Sequence, residues 1–231
     1  MVATAFRDDM LATVWRRHCV GHPLTDAWVR GDLTREQLGL WGVEHYHYTK
    51  DLYFFLGRIM ANCPVPAGRA MEHDNMADEE NPEDTHNQQL LDFIAACGLD
   101  VEAVPRSTPL PTTQGLRDWL HLLCEKRSWQ EAAAGFHVGM ERQFTDICAR
   151  VVPPLRDHYG FAPREIRFFE THIGADQEHG TRALDVVEAH TPPELRPAVL
   201  QAIWEGTEKR WLYFDGVYVK YVLGYNLGNQ P

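Results

Sequence analysis

Apolar positions recur every three or four residues through most of this chain, and alternation of period two over several residues is absent. Such spacing predicts helices. The first covers about 6–18. A long one covers 34–61, opened by Thr34 as N-cap with Glu36 and Gln37 behind it. Pro64 and Pro66 then break the chain. A helix over about 67–80 runs into Asn81-Pro82, and another over 84–97 closes at Gly98, a residue suited to the left-handed position after a helix. Residues 104–113 hold three prolines and read as a loop. Helices follow at about 114–126 and at 129–151, the latter ended by Pro153-Pro154. Another spans 163–190, with Pro163 in its first turn, and the last runs from 193 to about 224. Residues 214–223 are aromatic and β-branched, yet they continue the helical period. No repeat, low-complexity tract or linker divides residues 1–231, so the expectation is one all-α domain, a bundle of seven to eight helices.

Composition narrows the classes of function. A chain of 231 residues can bury a substantial core without disulfide staples, and 44% hydrophobic with 24% charged residues is ordinary for a globular protein. The net charge of −11 argues against nucleic-acid or anionic-membrane partners, which would want a basic face. Five scattered cysteines without a C-x-x-C pair suggest reduced thiols and a cytoplasmic location. The first residues lack a basic segment followed by an apolar one, and no apolar run approaches the length of a membrane span. Twelve histidines direct attention to metals.

The most informative run is His172-Ile-Gly-Ala-Asp176-Gln-Glu-His179. Positions i, i+4 and i+7 of a helix fall within about 60° of one another. Two imidazoles and a carboxylate therefore point the same way, the ligand chemistry of a non-haem iron site. Three ligands on one helix need partners from facing helices. Glu141 sits mid-helix among apolar residues, and His137 lies one turn before it. Glu79 and His86 lie seven apart and share a face if helical geometry continues past Pro82, with Glu80 able to replace Glu79. Glu44 and His47 form an E-x-x-H, the spacing of ferritin-like sites. The second such motif there, Asp176-x-x-His179, has Asp in place of Glu.

The order Glu79…His86, Glu141, His172-x3-Asp176-x2-His179 resembles that of the haem-oxygenase-like di-iron oxidases and oxygenases, relatives of thiaminase II and pyrroloquinoline-quinone synthase. The resemblance implies a haem-oxygenase-like helical bundle over residues 1–231. It implies two irons cycling between Fe2+ and Fe3+, O2 as co-substrate and no haem. Glu79 and His86 would serve one iron, Glu141 would bridge, and His172, Asp176 and His179 would complete the pair, with Glu44 as an extra ligand from an earlier helix. The segment 172–179 holds no cysteine, so the thiaminase chemistry does not carry over.

The resemblance also implies a range of reactions: N-oxygenation of amines, desaturation or C–C cleavage of amino acids, and decarboxylation of fatty acids. A fatty-acid tunnel could be lined by Trp41, Tyr48, Phe54, Phe55, Phe136 and Phe168, although their helical spacing equally suits a core. A branch that makes p-aminobenzoate by consuming its own tyrosine and lysine is not favoured, because Met140 precedes Glu141 and Phe168 lies four before His172. His137, Lys50, Lys126 and Arg142 suit a small nitrogen-bearing substrate. The expectation is a di-iron enzyme of specialised metabolism that N-oxygenates a small amine or amino acid, with room for an external electron donor. The alternatives are a metal-free oxidase and a non-catalytic helical binding protein. Trp211, Tyr213, Phe214, Tyr218 and Tyr221 give the last helix enough aromatic surface for a homodimer interface or a substrate lid.

Overall fold

Each long helical period becomes a helix in the computed structural model, which describes residues 5–226 apart from the side chains of 175–179. In chain order these are α1 (Ala5–Trp15), α2 (Pro23–Arg30), α3 (Arg35–Thr49), α4 (Leu52–Asn62), α5 (Pro66–Glu79), α6 (His86–Ala96) and α7 (Pro111–Lys126). After them come α8 (Trp129–Ala133), a π-helical segment (Ala134–Glu141), α9 (Arg142–Asp157), α10 (Arg167–His190) and α11 (Arg196–Val217). There is no strand among the described residues. Since α8, the π segment and α9 form one continuous rod, the described residues make ten rods rather than seven or eight.

Two features account for the difference. The expected helix over 34–61 turns a corner at Lys50-Asp51, where the Asp51 carboxylate accepts from Arg117 at 2.5 Å and contacts the His121 ring at 3.3 Å. This ion pair ties the corner to α7. Helix α2 is short and capped by an imidazole, His22 Nδ1 accepting the Leu24 N–H at 2.9 Å, with Pro23 in its first turn. Gly31 closes it at φ 77°, a conformation that costs glycine nothing. A third difference concerns α9, which passes through Pro153-Pro154 instead of stopping there. Two ladder bonds are lost one turn before its end, and burial of Val151, Val152 and Leu155 offsets them.

The core runs between α3, α9, α10 and α11. Trp41 stacks on Phe169 with centroids 5.5 Å apart and meets the edge of Trp28 at 5.0 Å. The aromatic face of the last helix is largely used within the chain: Tyr213 and Phe214 are buried, and Trp211 covers His22.

The packing that matters most for the site is that of the π segment on α11. A Cβ at Gly206 would stand 2.5 Å from the Gly135 carbonyl oxygen, and one at Gly139 would stand 2.9 Å from the Ile203 carbonyl oxygen. Glycines at these crossing points let the two backbones touch. Of the described residues, no helix is long and apolar enough to cross a membrane.

Candidate metal centre

Three helix positions converge on one point. Glu79 is the last residue of α5 and His86 the first of α6. The chain reverses between them, through Asn81-Pro82, and Thr85 caps α6 by accepting the Gln88 N–H at 3.1 Å. The seven-residue spacing thus works through a turn and not, as expected, through a continuing helix. Glu79 Oε1 lies 3.0 Å from His86 Nδ1, and the rings of His86 and His172 are 4.7 Å apart. One ligand atom from each of Glu79, His86 and His172 falls within 4.8 Å of the others, and all three residues are buried.

These donors fit a metal ion. His172 Nδ1 lies 2.6 Å from the Phe168 carbonyl oxygen, an acceptor, which places the proton on Nδ1 and leaves the lone pair on Nε2. His86 Nδ1 is in contact with Glu79, yet it is not aligned for a hydrogen bond and has no other hydrogen-bond partner. The two groups face the same point as His172. One turn before Glu79, Asn75 is buried with both amide atoms unpartnered. An unsatisfied buried group costs about 1–3 kcal/mol, which a protein carries where a ligand completes it. Two imidazoles with a carboxylate suit iron. Burial alone would lower the His86 pKa, but the Glu79 carboxylate outweighs it and the value is raised.

Glu141 ends the π segment and lines the same cavity as Glu79 and His172. His137, one turn earlier, does not face that cavity, contrary to the expectation of a substrate-facing group. It is wholly buried, with Nδ1 2.5 Å from Glu141 Oε2 and Nε2 2.9 and 3.0 Å from the two oxygens of Glu72. The ring lies between Glu141 and Glu72. Burial lowers its pKa, Glu72 and Glu141 raise it more strongly, and it is pushed up to about 10.

The cavity is small and part of it opens to solvent. Leu52, Phe136, Met140 and Phe144 form its apolar wall, and His45, Tyr48, Thr49 and Arg210 add polar groups. Arg210 is buried, donates to the Met140 carbonyl at 3.2 Å and lies 5.1 Å over the Phe144 ring. Burial, then the charges of Arg210 and His172, hold the His45 pKa well below its ordinary value.

Other expected residues lie elsewhere. Glu44 is buried, but it accepts from the Leu110 N–H at 3.0 Å, the Thr113 hydroxyl at 2.5 Å and the Tyr221 hydroxyl at 2.9 Å. It stands outside the Glu79–His86–His172 cluster because its lone pairs are engaged in joining α3 to α7 and the chain's end. His47 pairs with Ser107 at 2.8 Å. Glu80 is exposed. Asp176 and His179 belong to α10, and their side chains lie outside the described residues. Lys50 contacts His47 and Tyr46, Lys126 pairs with Glu125, and Arg142 packs on Gly180; none lines the cavity. Of the six aromatic residues considered for a tunnel, Tyr48 and Phe136 reach the wall, and Trp41, Phe55 and Phe168 are core.

Sequence reasoning missed Glu72, Asn75, His45 and Arg210. Glu72 and Asn75 precede Glu79 by seven and four residues, so helical spacing from Glu79 would have found both. Nothing local marks Arg210.

The chain is similar to known proteins in sequence and in fold. The profile of a family described as iron-containing redox enzyme matches residues 40–211. A 4-aminobenzoate synthase of Nitrosomonas europaea is 26% identical over 96% of this chain and 94% of its own length. A 4-chloro-allylglycine synthase of Streptantibioticus cattleyicolor is 23% identical, covering 92% and 82%. A Shewanella denitrificans domain with a heme oxygenase-like fold superposes with a TM-score of 0.80 at 18% identity, covering all of both chains, which shows the fold.

Proposed function

This chain belongs to the iron-containing redox enzyme family, and we propose that within it the protein is an O2-dependent di-iron oxygenase or oxidase of a small, amino-acid-derived substrate. The observation that carries the reading is the buried Glu79–His86–His172 cluster opening on a cavity walled by Glu141, His45, Tyr48 and Arg210. Glu79, His86, Glu141 and His172 would hold iron, joined by Asp176 and His179 on the resemblance of their spacing. Bound iron would supply the activation of O2.

The chain's own residues do the rest. Phe136, Met140 and Phe144 exclude water from the reacting end. Arg210, a cation fixed over Phe144, suits the carboxylate of an amino acid. The neutral His45, within 3.2 Å of the Tyr48 hydroxyl, can accept a hydrogen bond from a substrate amine. Oxygenation of that nitrogen is the first reaction to test: one oxygen atom enters an N–H bond to give a hydroxylamine, and the other leaves as water with two electrons and two protons from an external donor.

The test is anaerobic Fe(II) titration of the metal-free protein, then rapid mixing with O2 in the presence of amino acids. Binding of two irons per chain, O2 consumption and loss of both in His172→Ala are expected. No stoichiometric iron uptake would overturn the reading and favour a metal-free oxidase. The names of the relatives favour examining two further outcomes. A cleaved or desaturated amino acid would replace N-oxygenation by the second chemistry. Tyr48 is the tyrosine on the cavity wall, and no lysine stands there among the described residues, so the intact mass of the chain after aerobic iron loading is expected to stay unchanged. A loss of mass mapped to Tyr48 would indicate self-consumption instead.

A further inference from the structure

Helix α5 turns a line of buried polar side chains, Glu72, Asn75 and Glu79, towards the interior at spacings of three and four residues. Glu79 belongs to the metal cluster. Among the described residues Glu72 is not part of that cluster, and nothing in the chemistry above accounts for it. A fully buried carboxylate costs several kcal/mol unless it is paired and hydrogen-bonded. A partner among the described residues is the Nε2 of His137, 2.9 and 3.0 Å from its two oxygens, and the other nitrogen of that ring holds Glu141 Oε2 at 2.5 Å. The imidazole is thus clamped between two carboxylates on different helices, and both of its nitrogens are committed.

We propose that Glu72 and His137 are a positioning pair that sets how Glu141 meets the metals. The inference rests on the di-iron reading. Glu72 fixes the plane and rotation of the His137 ring, and the ring in turn holds the Glu141 carboxylate by one oxygen at the cavity wall. A bridging carboxylate must be aimed at both ions, so the hold on Oε2 would decide whether Glu141 could serve one iron or two. The π winding of 134–141 makes the arrangement reachable. It places His137 and Glu141 on a segment whose backbone is pressed against α11 by Gly135, Gly139 and Gly206, leaving the pair little freedom to shift. Metal-ligand orienters of this kind are worth about ten- to a hundredfold in metal affinity.

The experiment compares wild type, Glu72→Ala and Glu72→Gln by anaerobic Fe(II) titration with Mössbauer spectra of the loaded proteins. Melting of each metal-free protein and the side-chain nitrogen NMR signals of His137 are recorded alongside. Glu72→Ala is expected to keep the first iron and to bind the second about ten- to a hundredfold more weakly, with its quadrupole doublet altered. Glu72→Gln keeps an acceptor for the Nε2 proton and is expected to recover most of that affinity. In the metal-free wild type the His137 Nδ1 proton should be strongly downfield and slow to exchange, and it should lose that protection in Glu72→Ala. A purely structural Glu72 would lower the melting temperature of the metal-free variant and leave the second iron's affinity and spectrum unchanged, which overturns the proposal. A wild type that takes no iron defeats the di-iron reading itself. A His137 proton insensitive to Glu72 would then defeat the pair separately.

Discussion

Two buried glutamate–histidine pairs in this molecule look alike in sequence and differ in what surrounds them. Glu44 and His47 are one turn apart on α3 and both buried; Glu44 meets neutral donors of the chain, Leu110 N–H, Thr113 and Tyr221, and His47 meets Ser107 and Lys50. Glu79 and His86 sit on either side of a turn and face each other and His172, with Asn75 unsatisfied beside them. A buried carboxylate completed by the chain's own hydroxyls and amides is an internal staple. One that faces two imidazoles, as Glu79 does, is placed to serve as a metal ligand. Burial alone does not separate the two.

The contrast breaks most sharply under substitution. Glu79→Ala or His172→Ala should abolish iron uptake and reduce O2 consumption at least about a hundredfold, while the metal-free protein melts near the wild-type temperature. Glu44→Ala should do the reverse. It strands three buried donors, costs roughly 2–3 kcal/mol and lowers the melting temperature by roughly 4–10 °C, with iron stoichiometry unchanged. Atomic absorption and calorimetry on the same samples decide the matter, and iron loss in Glu44→Ala would erase the distinction.

The next effect belongs to the cavity. Arg210→Met should lower kcat/KM for an acidic substrate by about ten- to a hundredfold, mostly through KM, without changing iron binding. Equal losses for an acid and its amide would show that Arg210 does not meet the carboxylate. Gly206→Ala should cost about 1–3 kcal/mol by forcing α11 off the π segment, and it should weaken iron binding through Glu141. Calorimetry with iron titration would show stability and affinity falling together. Wild-type affinity in a destabilised protein would mean that the close approach serves packing alone.

The smallest effect concerns pH. Burial, and then Lys50 and Arg117, hold His47 down to about 4, against about 6.5 for the unfolded chain. A depressed folded value contributes stability above about pH 6.5 that is lost as pH falls towards 4. The metal-free wild type should therefore lose melting temperature over this range faster than His47→Gln. Parallel curves would show that His47 does not contribute.

Much of the fold was legible because it rests on local period and caps. Thr34 opens α3 with a capping box to Gln37, and Gly98 follows α6 in the left-handed conformation. What escaped depends on distant partners. Asp51 breaks a helix only because Arg117 and His121 come to meet it, and α2 depends on an imidazole cap that its residue type does not advertise. The π-wound segment 134–141 packs against Gly206 of α11, about seventy residues away in the chain, a contact that no local pattern announces.

The sequence by itself determined an all-helical chain and a set of carboxylates and imidazoles whose spacing belongs to a non-haem iron site, because helical period and ligand type are local properties. Tertiary structure alone decided which members of that set act together. It turned Glu44 into a staple and moved His137 from the substrate's side to a place between Glu141 and Glu72, a residue one heptad before Glu79 whose pairing only the fold reveals. It also brought Arg210 into the cavity wall. The reason is physical: whether a buried polar group is a ligand or a strut depends on which atoms satisfy it, and those atoms come from other helices.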